Sequence, residues 1–153
     1  MPTTFRVGEC FMLGFQGPTI PNWLQEFEQK FGLGGVILFD YSCQTKTYKN
    51  NIESKEQLKQ LCTQLSTMPS RPLIFVDQEG GKVRRLKESL GFAALPSQAS
   101  MAKMPEAEKM QILKNSFHEM RSLGISFDLT PVVDLNLNTQ NPNIGAIDRA
   151  FSD

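Results

Sequence analysis

Two unbroken apolar runs, Val36-Ile37-Leu38-Phe39 and Leu73-Ile74-Phe75-Val76, lead directly into carboxylates, Asp40 in one case and Asp77 in the other. Neither run alternates with polar residues, so both faces of each strand are expected in apolar surroundings, the habit of a parallel sheet. Helical spacing fills the intervals between such runs. Pro21 opens a segment with Trp23, Leu24, Phe27 and Phe31 on one face, and Gly32 closes it. Ser54 followed by Gln57 has the form of a capping box ahead of Leu58, Leu61, Cys62 and Leu65. Pro105 starts a third helix, with Met110, Leu113, Phe117 and Met120 as its apolar stripe and Gly124 as its stop. The four strands are expected at Gly8 to Phe15, Gly34 to Asp40, Pro72 to Glu79 and Ile125 to Asp134. Pro131 within the last of these argues against a central place in the sheet. Leu86 to Met104 is too long for an ordinary connection and is expected to be irregular and functional.

The order βαβαβαβ with apolar strands predicts a parallel α/β sheet with right-handed crossovers. Doubly wound sheets and (β/α)₈ barrels share this pattern, and in both the ligand site lies at the carboxyl ends of the strands. Asp40, Asp77 with Glu79, and Asp134 are all expected at that edge. The densest chemistry is in VDQEGGKVRRL, residues 76–86, where a strand delivers two carboxylates, two glycines allow a tight turn, and Lys82, Arg84 and Arg85 follow. Carboxylates beside arginines suit the hydroxyls of a sugar, the former accepting and the latter donating hydrogen bonds. A salt-bridged loop at a strand end accounts for the same pattern.

Other chemistries fit poorly. A phosphate loop requires Ser or Thr after its Gly-Lys pair, and Val83 stands there. A zinc-binding HExxH helix needs a second histidine where Ser122 follows the single His118, so no metal or other cofactor is expected. Asp77 and Glu79 lie two residues apart and are expected to divide into one binding and one structural residue, rather than act as the spaced carboxylates of a glycosidase. Formal charge is zero, from 16 basic and 16 acidic residues, which gives no field to hold nucleic acid or an anionic membrane. Cys10, Cys43 and Cys62 are odd in number and irregular in spacing, and are read as reduced thiols. The N-terminal stretch lacks the basic and continuous apolar parts of a secretory signal, no run approaches a membrane span, and the expected location is the cytoplasm.

Six blocks stand in order along the chain: GGVILF, NIESKEQLKQL, PLIFVDQEGGKVRRL, LPSQ, SLGISFDLTPVVDLN and NPNIGAIDRAFSD. Together they resemble the N-terminal domain of glycoside hydrolase family 3, and DQEGG followed by a basic residue resembles its bacterial β-N-acetylglucosaminidase branch. The resemblance implies one partial domain over residues 1–153, the N-terminal part of a (β/α)₈ TIM barrel with about four of the eight βα units. It implies as substrate a terminal β-linked N-acetylglucosaminyl glycoside, in many bacteria a fragment of recycled cell wall. By the same resemblance Asp77, Arg85 and Arg149 bind the sugar, Arg149 on a looser match of spacing. Asp134 is read as a structural cap at a strand end.

The family's KHFPGHG block, its acid/base loop and its aspartate nucleophile do not occur in these residues, so no catalytic residue is assigned. A retaining glycosidase needs both a nucleophile and an acid, and the chain by itself is expected to be inactive. The alternative reading is a non-catalytic sugar-binding or regulatory half-barrel. In either account the open strand edges are expected to be covered by self-association or by the C-terminal half of a barrel.

Overall fold

The computed structural model describes residues 6–152. In chain order the elements are β1 (Met12–Gly14), α1 (Asn22–Phe31), β2 (Gly35–Leu38), α2 (Lys55–Ser66), β3 (Leu73–Val76), β4 (Gln78–Gly80), β5 (Val83–Arg84), α3 (Gln98–Ala102), α4 (Glu106–Leu123) and β6 (Phe127–Asp128). Short 3-10 turns occupy Val7–Cys10, Glu88–Leu90 and Gly145–Ile147. The main sheet has the order β1-β2-β3-β6 and every pairing in it is parallel. β4 and β5 form a separate antiparallel ribbon at the carboxyl end of β3.

The helix boundaries follow from their caps. The Ser54 hydroxyl accepts from the Gln57 N–H (3.1 Å), and the Gln57 side chain reaches back to the Glu53 N–H (3.0 Å), one residue before the position a capping box uses. α4 ends where Gly124 turns left-handed at φ 96°. Gly124 N–H then bonds Arg121 O and Ile125 N–H bonds Met120 O, both at 3.1 Å, the paired closure that satisfies the last carbonyls.

Among the described residues one face of the sheet is sealed and the other is not. Val36, Leu38, Ile74 and Val76 point into a core completed by Leu24 of α1, by Leu58, Leu61, Cys62 and Leu65 of α2, and by Met120 and Leu123 of α4. Met12, Leu73 and Phe127 of the opposite face are exposed, and Ile37 and Phe75 are half-buried. On that face the Phe75 and Phe127 rings stack at 5.1 Å, and Gly35 leaves room for Phe75, whose Cε2 would stand 2.7 Å from an added Cβ.

Several expectations change. Val7–Cys10 is a 3-10 turn, so the first strand is shorter than Gly8 to Phe15. The fourth strand stops at Asp128, because after Leu129 N–H bonds Val76 O (2.9 Å) the chain leaves the sheet through the cis Thr130–Pro131 peptide. Asp134 is consequently off the strand, exposed, and caps no backbone group among the described residues. The stretch from Leu86 to Met104 holds α3, whose first turn is capped by the Ser97 hydroxyl accepting from Ser100 N–H (3.2 Å). Of the four residues in the stripe expected on α4, Met120 is buried whereas Met110 and Phe117 are exposed, since among the described residues β6 is the edge strand and no element covers the helix beyond it.

Candidate functional site

The carboxyl end of β3 gathers the ionic side chains. Arg85 donates from Nη2 to Asp77 Oδ2 at 2.8 Å, and its Nη1 stands 3.7 Å from Asp40 Oδ1. Its guanidinium also lies over the Phe39 ring, 5.3 Å from the centroid. Lys87 Nζ takes the other Asp40 oxygen at 2.6 Å while sitting 3.6 Å above the Tyr48 ring. Asp40 is 3% exposed, so two cations hold a buried anion between the ends of two neighbouring strands.

The ribbon that brings Arg85 back toward Asp77 is built around Gln78, a buried amide. Its Oε1 accepts from the N–H groups of Arg85 (3.0 Å) and Leu86 (2.9 Å), and its Nε2 donates to Leu86 O (3.1 Å). The backbone N–H of Gln78 donates to Asp128 Oδ1 at 2.9 Å, which links the ribbon to β6. Two glycines make the turn possible. Gly80 has φ 100°, and a Cβ there would meet Pro96 O at 2.1 Å; Gly81 has φ 58°, and a Cβ would meet Ser97 Cβ at 2.7 Å. The turn is therefore packed against residues 95–97, and Gly81 N–H bonds Leu95 O at 2.9 Å.

Arg149 arrives from the far end of the chain. Its Nε and Nη2 each donate to Glu79 at 2.7 Å, and its Nη1 donates to Asn143 O at 2.8 Å. Pairing with Glu79 is also what raises its pKa most, against burial, with Asp134 and Asp77 adding to the negative field. Both Glu79 oxygens are occupied and the residue is 5% exposed, so Glu79 is a structural anchor. The buried Gln98 amide, in the orientation that satisfies both its ends, holds this tail by donating to Arg149 O (2.7 Å) and Val132 O (3.1 Å) and accepting from Val132 N–H (3.1 Å).

The structure thus brings Asp77, Arg85 and Arg149 to one edge of the sheet, each with a partner within the chain. Asp77 pairs with Arg85 and Glu79 with Arg149. Three residues escaped the sequence reading: Gln78, Gln98 and Asp128. Burial pushes the Asp128 carboxyl up to about 7; the Gln78 N–H pulls it down, and Asp77 and Glu79 push it up. A polar residue flanked by charged motif residues is the only signal Gln78 gives in sequence. Among the described residues no group of three or more His, Cys, Asp or Glu side chains is placed to hold a metal ion. No helix there is long and apolar enough to cross a membrane.

A parallel sheet laid down strand by strand, helices on one face and a charged cluster at its carboxyl edge, defines an α/β chain of the TIM-barrel kind, comprising the N-terminal part of the barrel. Residues 12–153 match the Glycosyl hydrolase family 3 N terminal domain, and the chain belongs to that family. A β-hexosaminidase of Xanthomonas oryzae pv. oryzae is 34% identical over 150 residues, covering 93% of this chain and 40% of the relative. A family 3 β-N-acetylglucosaminidase from Paenibacillus sp. str. FPU-7 superposes with a TM-score of 0.77 at 27% identity, over 93% of this chain and 26% of that one. NagZ from Neisseria gonorrhoeae in complex with N-trifluoroacetyl-D-glucosamine superposes with a TM-score of 0.68 at 25% identity, over 82% and 37% respectively. The chain therefore spans well under half the length of these relatives.

Proposed function

We propose that this chain supplies the sugar-gripping wall of a β-N-acetylglucosaminidase site, acting on terminal β-linked N-acetylglucosamine of cell-wall fragments in the cytoplasm. The observation that carries the reading is the Asp77–Arg85 pair, 2.8 Å apart at the carboxyl end of β3. Asp77 accepts from ring hydroxyls and Arg85 donates to them, and each orients the other before the sugar arrives. The Gln78 bracket fixes the Arg85 backbone, so the two groups are held at a set separation. Arg149 has three of its five N–H donors committed to Glu79 and Asn143. Its remaining edge contributes at most two further hydrogen bonds to the sugar.

Catalysis needs more than this wall. With Glu79 doubly bonded to Arg149, and Asp77 and Asp40 both facing Arg85, none of these carboxylates is arranged to protonate a leaving group or attack an anomeric carbon. The chain alone is expected to bind N-acetylglucosamine and to leave aryl β-N-acetylglucosaminides intact. Calorimetric titration with the monosaccharide, run beside an aryl-glycoside assay, checks both halves. Turnover above buffer by highly purified chain would overturn the division of labour. When activity is restored by adding a C-terminal barrel half, Asp77→Ala or Arg85→Ala should lower kcat/KM at least ~10-fold, since a lost charged hydrogen bond costs about 1.5–3 kcal/mol. Unchanged kinetics in both variants would reduce the pair to a brace for the ribbon.

A further inference from the structure

One guanidinium, Arg85, stands between two carboxylates. Its Nη2 donates to Asp77 at 2.8 Å, and its Nη1 lies 3.7 Å from Asp40 Oδ1. Lys87, two residues further along the chain, occupies the other oxygen of Asp40 at 2.6 Å. We infer that Lys87 is a positioning residue for the sugar-binding pair: by neutralising Asp40 it keeps Arg85 on Asp77, aimed at the sugar, instead of letting Asp40 draw it back between the ends of β2 and β3. The inference rests on the proposed function, because it concerns what holds the Asp77–Arg85 pair together.

The two carboxylates compete unequally for Arg85. The Asp77 side chain is 20% exposed and that of Asp40 only 4%, so water offsets part of the charge on Asp77 and little of that on Asp40. The buried anion therefore pulls harder on a shared cation. It also has room to receive one. Asp40 Oδ1 is buried and accepts no hydrogen bond among the described residues, and a movement of about 1 Å would bring Arg85 Nη1 to hydrogen-bond distance from it. Arg85 Nε is likewise buried without a partner among those residues, so it does not tie the guanidinium to its present place. Lys87 removes the pull by offsetting the charge on Asp40, and it is itself held. Its Nζ sits 3.6 Å from the centre of the Tyr48 ring, which is propped edge-on against Tyr41 at 5.1 Å. Ser42 N–H donates to Thr47 O at 2.9 Å and closes the loop that carries Tyr48. Asp40 is equally fixed, because Asn51 grips the preceding residue twice: its Oδ1 accepts from Phe39 N–H and its N–H donates to Phe39 O, both at 3.0 Å. With Lys87 and Asp40 anchored, Arg85 is the member of the trio free to choose between carboxylates.

The test titrates the full chain with N-acetylglucosamine by calorimetry, with melting temperatures measured alongside. Lys87→Met keeps the stem and removes the charge, and it should weaken binding about ten-fold, as the loss of one charged hydrogen bond to the sugar would. Lys87→Arg, which keeps a cation over Tyr48, should stay within about three-fold of the wild type. The deciding variant adds Asp40→Asn to Lys87→Met. It removes the competing carboxylate, so Arg85 returns to Asp77 and affinity should recover to within about three-fold of the wild type; a role for Lys87 confined to bracing the fold predicts losses that add instead. The double variant strands no buried charge, so it decides the matter even where Lys87→Met alone fails to fold. Undiminished binding by folded Lys87→Met, or binding by the double variant that is about ten-fold weaker than wild type, would overturn the positioning role while leaving the Asp77–Arg85 reading in place. Absence of heat with the wild-type chain would overturn that reading and the positioning role with it.

Discussion

Arg149 closes on Glu79 with two hydrogen bonds of 2.7 Å, Nε to Oε2 and Nη2 to Oε1, across 70 residues of chain. The two partners are unequal in their access to water. Glu79 is almost wholly buried, whereas a quarter of the Arg149 side chain is exposed. Arg149→Ala should therefore destabilise more than Glu79→Ala, about 3 kcal/mol or above, because it strands a buried carboxylate while the other change frees an arginine to reach solvent. Urea midpoints of the two variants check the order. A reversed order would mean that the pair is held open to solvent, contrary to its burial.

The Asp128 carboxyl gives a signed pH dependence. Its pKa rises from an ordinary 3.8 to about 7 on folding, so the folded state binds more protons than the unfolded state between those values. Stability from this group is fully present below the lower value and is lost as pH rises through the upper one. The melting temperature should fall as pH is raised from about 5 to 8, and Asp128→Asn, which keeps an acceptor for the Gln78 N–H, should flatten that slope. A variant that retains the full slope would assign it to another group.

Thiol chemistry should divide the cysteines. Cys10 and Cys43 are exposed, whereas Cys62 is buried between α2 and the sheet, where burial pushes its thiol up to about 12 against the pull of Lys59. A thiolate-seeking reagent should label two sites in the native chain and the third only on unfolding. Rapid native labelling of all three would show that the α2 packing opens readily.

The uncovered sheet face should drive association. Met12, Leu73 and Phe127 on that face, with Phe117 beside β6, form apolar surface with no covering layer among the described residues. Light scattering across a dilution series, with hydrogen exchange on the strands in parallel, should find dimers or larger species. A monomer with well-protected strands at micromolar concentration would show that this face is sealed in some other way.

How much of this was legible depended on whether the governing contact was local. The VILF and LIFV runs announced β2 and β3 because continuous apolar character needs no knowledge of neighbours, and Ser54 announced α2 through a bond made three residues away. The run TPVVD carries the same signature, yet Val133 is 87% exposed, because the strand ladder ends earlier and periodicity cannot see where pairing stops. Asp77, Arg85 and Arg149 came from the resemblance, and geometry then added their partners. Gln78, Gln98 and Asp128 stayed hidden because each is defined by tertiary partners: Gln78 by a ribbon that folds back on it from Arg85 and Leu86, Asp128 by the Gln78 N–H, and Gln98 by the backbone of Val132 and Arg149.

Strand order in the main sheet equals order along the chain, each strand pairing with the one before it. A nascent chain emerging from the ribosome would therefore find, for each of these strands in turn, a docking edge already formed, with β1 as the template for β2, β2 for β3 and β3 for β6. Glu79 is made long before Arg149, so during synthesis the end of β3 carries a carboxylate still without its counter-ion. The sheet can assemble progressively, but the charged cluster at its edge reaches its final form only once Arg149 has left the exit tunnel.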